Sequence, residues 1–386
     1  MKFIKSPKFL IFLVVLINFL GYGMVFPLLP IITLEYGGSP LLSGILIGIF
    51  SLMQVIFMPI LGRLSDRYGR KPLLIFSLWG TFFSFLLMGL THSIFWLMIA
   101  RIIDGISGGN LSIAQAYIAD ITDKKDRAGG MGVIGAGISL GFIIGPLWGG
   151  LLSKVSFSAP FLGASLITLT SILLAQFFLS ESLSQKEAEY EKKHFNFGIF
   201  IKDSLKSDLY LLYLVYLLLF WAQSGVFTIM SLFGEQVLKL SLIGISVVFA
   251  FGGILSALIQ GFGIGKAVKY MKEEKIYLIS TVICIAGLGF MSVGSTVLLF
   301  FIGVSIFMIG NSFLGPIIQA LVSEKSSEHE QGGNLGFLQS FGSMGRIFGP
   351  IASGYLYQQV SPFSPALSGV ILMFGILIIG LKFVHK

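Results

Sequence analysis

Residues 62–74 read GRLSDRYGRKPLL. Arg63, Asp66, Arg67, Arg70 and Lys71 fall within this short stretch of a chain that is only 11% charged. On either side the sequence is apolar for about twenty residues, enough for one helix to cross a bilayer. The stretch therefore reads as a tight loop joining two membrane helices. Gly62 and Gly69 permit the turn, and Pro72 can begin the next helix, where a missing N–H costs nothing. Anchoring by positive charge accounts for Arg67, Arg70 and Lys71. It does not account for Asp66 or the glycines.

The composition supports a membrane protein throughout. Of 386 residues, 55% are hydrophobic, and the mean hydropathy is +0.91. A soluble chain would carry about 25% charge. Forty-eight glycines sit mostly inside apolar runs, where they allow close helix packing. The single cysteine, Cys284, excludes an internal disulfide or a Cys-based metal site, and His92, His194, His329 and His385 are scattered. No Walker A loop, metal-ligand cluster or catalytic triad spacing occurs, so the expectation is a non-enzyme without metal or cofactor. The +8 net charge has a topological origin, given below, so no nucleic-acid partner is expected. The first apolar run is too long for a cleavable signal peptide and lacks a cleavage site.

Apolar runs near 9–30, 41–61, 72–91, 94–118, 129–152, 158–180, 207–233, 241–265, 276–293, 296–322, 333–357 and 362–384 predict twelve spans. The long polar stretch after residue 180 separates two sets of six: an N-terminal bundle over 1–180, a linker over 181–206 and a C-terminal bundle over 207–386. Of the 26 lysines and arginines, Arg101 and Arg346 fall inside spans and Lys154 and Lys239 in loops on one side. The remaining 22 fall on the other side. This asymmetry predicts that both termini and the linker are cytoplasmic.

Shifting the chain by 204 residues lays residues 115–150 on 319–354 with ten identities in 36 positions, among them Gln115/Gln319, Gly141/Gly345, Gly145/Gly349, Pro146/Pro350 and Gly150/Gly354. The same shift lays Gly21 on Gly225. Two parallel, pseudo-symmetric six-helix bundles follow. Paired halves of this kind place a site near the midplane, opened alternately to each side.

The pattern G-x-L-x-D-R-x-G-R-K-x-x-L at 62–74 resembles the loop signature of the major facilitator superfamily. The resemblance implies a gating role for Gly62, Asp66, Arg67, Gly69, Arg70 and Lys71, with Asp66 meeting a helix N-terminus or a basic residue across the half interface. In the matching 8–9 loop, Lys269 stands where Asp66 stands, so the latch is one-sided. In the fifth span, GAGISLGFIIGPLWGG (135–150), Gly137, Gly141 and Gly145 recur every four residues and share a face, and Pro146 bends the helix. G-x-x-x-G-P-x-x-G-G resembles the motif of the drug:proton antiporter branch. It implies conformational roles for these residues, for Gly149, and for Gly349 and Pro350 in the second half. INFLGYGMVFPLLP (17–30) and AYIADITDKKDRA (116–128) resemble the tetracycline-efflux group. The match is incomplete: that group commonly carries an acid where Asn18 stands and another in its ninth span, and 276–293 has none. The substrate is therefore not expected to be a metal-chelated tetracycline.

Arg101 and Asp104 lie three apart, on one helical face, and Asp104 is the only acid well inside a span. An ionisable residue in a span is a functional candidate by default. These two are the expected proton-coupling pair; the alternatives are a structural ion pair with Glu35 or Glu235 carrying the proton. Asn18, Asn110, Gln115, Gln223, Asn311, Gln319 and Arg346 are candidate cavity residues, although helix-to-helix hydrogen bonding serves equally for each polar one. Two buried arginines against one acid favour an anionic or zwitterionic substrate group.

The expectation is a monomeric, multi-pass transporter in a bacterial cytoplasmic (inner) membrane, exporting small amphiphilic compounds in exchange for protons. An exporter or importer of an organic anion, sugar or lipid is the alternative within transport. A transporter-like receptor or assembly factor is the alternative outside it.

Overall fold

The computed structural model describes residues 6–123, 127–182, 209–326 and 331–384. The expected linker, apart from residues 181 and 182, lies outside them. Among the described residues all regular structure is helical: α1 Pro7–Glu35, α2 Pro40–Tyr68, α3 Arg70–Leu90, α4 Ile94–Ser107, α5 Asn110–Asp120, α6 Arg127–Leu152, α7 Ala159–Phe178, α8 Tyr210–Gln236, α9 Leu242–Leu258, a π turn Ile259–Gly263, α10 Ile264–Tyr270, α11 Glu273–Val293, α12 Val297–Glu324, α13 Gln331–Gln359 and α14 Ser364–Val384. Each of the twelve expected spans is present. The fourth is α4 and α5, interrupted at Gly108–Gly109; the eighth is α9, the π turn and α10.

Eleven of the twelve are long and apolar enough to cross a membrane by composition. The remaining one, α13, is long enough at 29 residues, but Gln331, Asn334, Gln339, Ser340, Ser343 and Arg346 dilute its hydropathy. A bilayer explains what faces outward elsewhere. On α14, Leu367, Ile371, Phe374, Ile378 and Leu381 are exposed at helical spacing, a stripe that water would not tolerate and lipid does.

The chain divides into two compact units: 6–37, 49–182 and 242–250; and 38–48, 209–241 and 251–384. Neither is a continuous stretch of sequence. One packing pattern recurs in both. In unit 1, α1 runs along α6, and α3 packs on α4 and α7. In unit 2, α8 runs along α13, and α11 packs on α12 and α14.

Glycine makes the α1–α6 and α8–α13 pairs possible. A Cβ on Gly141 would stand 2.6 Å from Phe19 Cβ, and one on Gly145 2.5 Å from Leu20 O. Gly137 faces Phe12 O and Val15, and Gly149 faces Met24. The glycine face is thus where the sequence places it, but it closes on α1 within its own unit. In unit 2, a Cβ on Gly345 would stand 2.7 Å from Trp221 N, and one on Gly349 3.0 Å from Gly225 N. The Gly21/Gly225 alignment is corrected: Gly21 faces the Phe85 ring, whereas Gly225 faces Gly349 and Ser353 of α13. The 204-residue shift holds for α6 and α13 but slips by three residues for α1 and α8: Gly141 meets Phe19 and Leu20 where Gly345 meets Phe220 and Trp221.

Candidate functional site

The charged stretch at 62–74 is tied to α5 and to the segment after α7 within unit 1. Two expectations are corrected. Asp66 lies in the last turn of α2, not in a loop, and α3 begins at Arg70, with Pro72 third in the helix. The turn is Gly69 alone, at φ +100°, a conformation that only glycine adopts freely. Arg70 is the hub. Its guanidinium pairs with Asp66 four residues before it, bonds Asp120 of α5 through Nε at 3.0 Å and donates to Ser65 Oγ at 2.7 Å. Ser182 Oγ also donates to Asp120, at 2.9 Å. The ion partner of Asp66 is therefore on the neighbouring helix of the same unit.

Glu181, just after α7, accepts the Arg70 and Lys71 backbone N–H groups at 2.9 and 3.1 Å. It satisfies orphan donors at a positively polarised helix end, and its carboxylate sits 2.6 Å from where a Gly69 Cβ would be. Lys71 Nζ donates to Gln176 O at 2.8 Å. Arg67 is exposed and lies over the Tyr68 ring at 5.3 Å. Gly62 faces Ser112 at 3.8 Å.

Deeper in unit 1, α4 carries Arg101 and Asp104. Arg101 Nη1 donates to Asp104 Oδ2 at 2.8 Å, with side chains 1% and 7% exposed. The guanidinium lies 4.2 Å from the Phe50 ring centre. Phe50 belongs to an aromatic cluster: Tyr22 meets Phe50 at 5.2 Å, Phe26 at 5.1 Å and Phe142 at 5.7 Å. A charge pair needs partners when taken from water, and here one face is aromatic. Gly105 lets α4 approach this wall, its Cβ position lying 2.5 Å from Phe50 O. Where α4 stops, Ser77 of α3 donates to the Ser107 carbonyl. Asn110 opens α5, buried, and its Nδ2 has no hydrogen-bond partner among the described residues; the same holds for Asn18 Nδ2 on α1. Gln115 is exposed on α5.

Unit 2 gathers a second polar group. Tyr216 Oη accepts from Gln319 Nε2 at 3.0 Å and Gln339 Nε2 at 3.2 Å. Arg346, midway along α13, donates to Ser343 Oγ at 2.9 Å and lies 4.6 Å from the Phe220 ring centre. Gln223 is half-buried on α8. Asn311 is buried, with Oδ1 unpartnered among the described residues.

The structure thus joins Arg101 to Asp104, Asp66 to Arg70, and Gln319 to Tyr216. It shows no hydrogen bond among Asn18, Asn110, Gln115, Gln223 and Asn311. Sequence reasoning missed Tyr22, Phe50, Tyr216, Phe220, Gln339 and Glu181. The spacing of Gln339, Ser343 and Arg346 on one face of α13 was the available signal. The aromatic partners carried none, because the chain holds 37 phenylalanines. Among the described residues no group of three or more His, Cys, Asp or Glu is placed to hold a metal.

The family model of the Major Facilitator Superfamily matches residues 11–310 and 262–386. The chain belongs to the major facilitator superfamily. It is similar to multidrug resistance protein 2 of Bacillus subtilis (strain 168), 32% identical over 97% of this chain and 95% of that one. It is also similar to the class C tetracycline resistance protein of Escherichia coli, 31% identical over 89% and 87%. Among solved structures it resembles an inward-facing, occupied bacterial homolog of the human lysosomal transporter Spinster, with TM-score 0.80, 15% identity and coverage of 98% and 96%. It also resembles the human organic anion transporter TETRAN, with TM-score 0.71, 21% identity and coverage of 97% and 98%. This member of the superfamily is a multi-pass integral membrane transporter, similar over most of its length to drug-efflux proteins.

Proposed function

We propose that this member of the superfamily is a proton-coupled antiporter that exports small amphiphilic compounds across a bacterial cytoplasmic membrane by alternating access. It works as a monomer with both termini cytoplasmic. The Arg101–Asp104 pair is the observation that carries the reading. A coupled exporter needs a group that is charged in one state and neutral in another. Asp104 is a carboxylate buried in a span; a guanidinium stays protonated. Taking the carboxylate from water favours its neutral form, and the adjacent guanidinium favours the charged form. Movement of α4 against its aromatic wall changes the balance between the two, so proton release follows conformation. The drug-resistance relatives support export, and the aromatic cluster around Tyr22 and Phe50 suits flat apolar molecules.

The test is proton-driven drug uptake into inverted vesicles. Asp104→Asn abolishes uphill uptake but leaves downhill exchange and binding. If the single variant still drives uphill uptake, Asp104 is not the carrier. If Arg101→Gln/Asp104→Asn regains uphill uptake that the single variant lacks, Asp104 merely neutralises Arg101.

A further inference from the structure

The polar strip of unit 2 has no part in the coupling pair, and its chemistry is of one kind. Tyr216 and Phe220 lie one turn apart on α8; Gln339, Ser343 and Arg346 follow one another on one face of α13; Gln319 reaches in from α12. Tyr216 Oη holds both carboxamides, at 3.0 and 3.2 Å, and its ring meets Phe220 edge-on at 4.7 Å. Phe220 in turn lies under the Arg346 guanidinium. The strip is therefore one connected constellation of N–H donors around an aromatic corner. It is accessible: Gln339 is exposed, and Gln319, Ser343 and Arg346 are half-buried. One turn before Gln319, a Cβ on Gly315 would meet nothing within 4 Å, so there is room beside it.

We infer that this strip is the subsite for a carboxylate-bearing aromatic amphiphile, with Arg346 taking the carboxylate. A guanidinium presents a planar fork of donors that matches a carboxylate bidentately. Stacking on Phe220 and the bond to Ser343 fix the plane of that fork before ligand arrives, so little rotamer entropy is lost on binding. The carboxamides of Gln319 and Gln339 offer further donors and acceptors to polar groups beside the carboxylate, and the rings of Tyr216 and Phe220 meet the aromatic body. A cationic drug would be repelled by Arg346, and a neutral one would gain only the apolar contact.

The inference rests on the reading of the chain as a substrate-binding transporter. Its test reads binding at equilibrium with no gradient, so a failure of proton coupling leaves it standing. The probes are naphthoate and naphthamide, alike in shape and different in charge, measured by equilibrium dialysis with the purified full chain in detergent. Naphthoate is expected to bind tighter by about ten- to a hundredfold, the range of a charge-assisted hydrogen-bonded pair. Arg346→Gln removes the preference while naphthamide affinity stays, and Arg346→Lys restores it in part. Gln339→Ala, at an exposed position, is a second variant expected to reduce naphthoate affinity without unfolding the chain. Equal affinities for the two probes, no saturable binding of naphthoate, or a preference that survives in Arg346→Gln each overturns the assignment.

Discussion

At the scale of single residues, the charges in 62–74 are unequal although the sequence presents them alike. Asp66 and Asp120 both contact Arg70, but the Asp66 side chain is 56% exposed and that of Asp120 only 20%. Exposed ion pairs contribute less than about 1 kcal/mol, so Asp66→Asn is expected to change thermal stability in detergent little. Asp120→Asn disturbs both Arg70 and Ser182 and is expected to lower the melting temperature more; the reverse order would remove Arg70–Asp120 as the stronger contact. Glu181 acts as a helix cap supplied from the segment after α7, so Glu181→Ala is expected to cost about 1 kcal/mol. Gly69→Ala adds a left-handed strain of about 1–2 kcal/mol and collides with the Glu181 carboxylate. Combining the two substitutions separates these effects. With the carboxylate gone, Gly69→Ala should cost less than it does in the wild type, and strict additivity would show that the collision has no consequence.

At the scale of helices, α6 carries glycines of two kinds. Gly141 and Gly145 are pressed against α1, whereas Gly132 and Gly135 have nothing within 4 Å of a Cβ. Gly141→Ala and Gly145→Ala are therefore expected to destabilise by about 1–3 kcal/mol through overpacking. Gly135→Ala is expected to be neutral or slightly stabilising, since alanine is the better helix former by up to about 1 kcal/mol. Thermal unfolding of the three variants checks this; equal effects would mean that the α1–α6 crossing is not tight. The four-residue period of these glycines was legible in the sequence. Their partner was not, because period specifies a face and not the helix that meets it.

At the scale of the whole molecule, the proposed topology places Lys154 outside and Lys272 inside. Cys284 is fully buried, so it need not be removed before cysteines are introduced. In intact cells a membrane-impermeant maleimide is expected to label Lys154→Cys and not Lys272→Cys, with both labelled after permeabilisation. Labelling of Lys272→Cys in intact cells would invert the topology. The recurrence of one packing pattern in both units, α1 with α6 and α8 with α13, gives the internal repeat a physical basis: the same glycine-lined crossing is used twice.

The amino-acid sequence by itself determined the all-helical membrane fold, the twelve spans and the superfamily, because hydropathy, loop charge and short motifs are local properties that need no partner. The i,i+3 relation of Arg101 and Asp104 was equally local, and the 2.8 Å bond follows from it. Only the tertiary structure decided that Phe50 lies against Arg101 and Phe220 against Arg346, that Tyr216 ties Gln319 to Gln339, and that Glu181 caps α3 from 110 residues away. Each of these is a contact between segments distant in the chain. Many phenylalanines and glutamines satisfy the same local pattern, and packing selects among them.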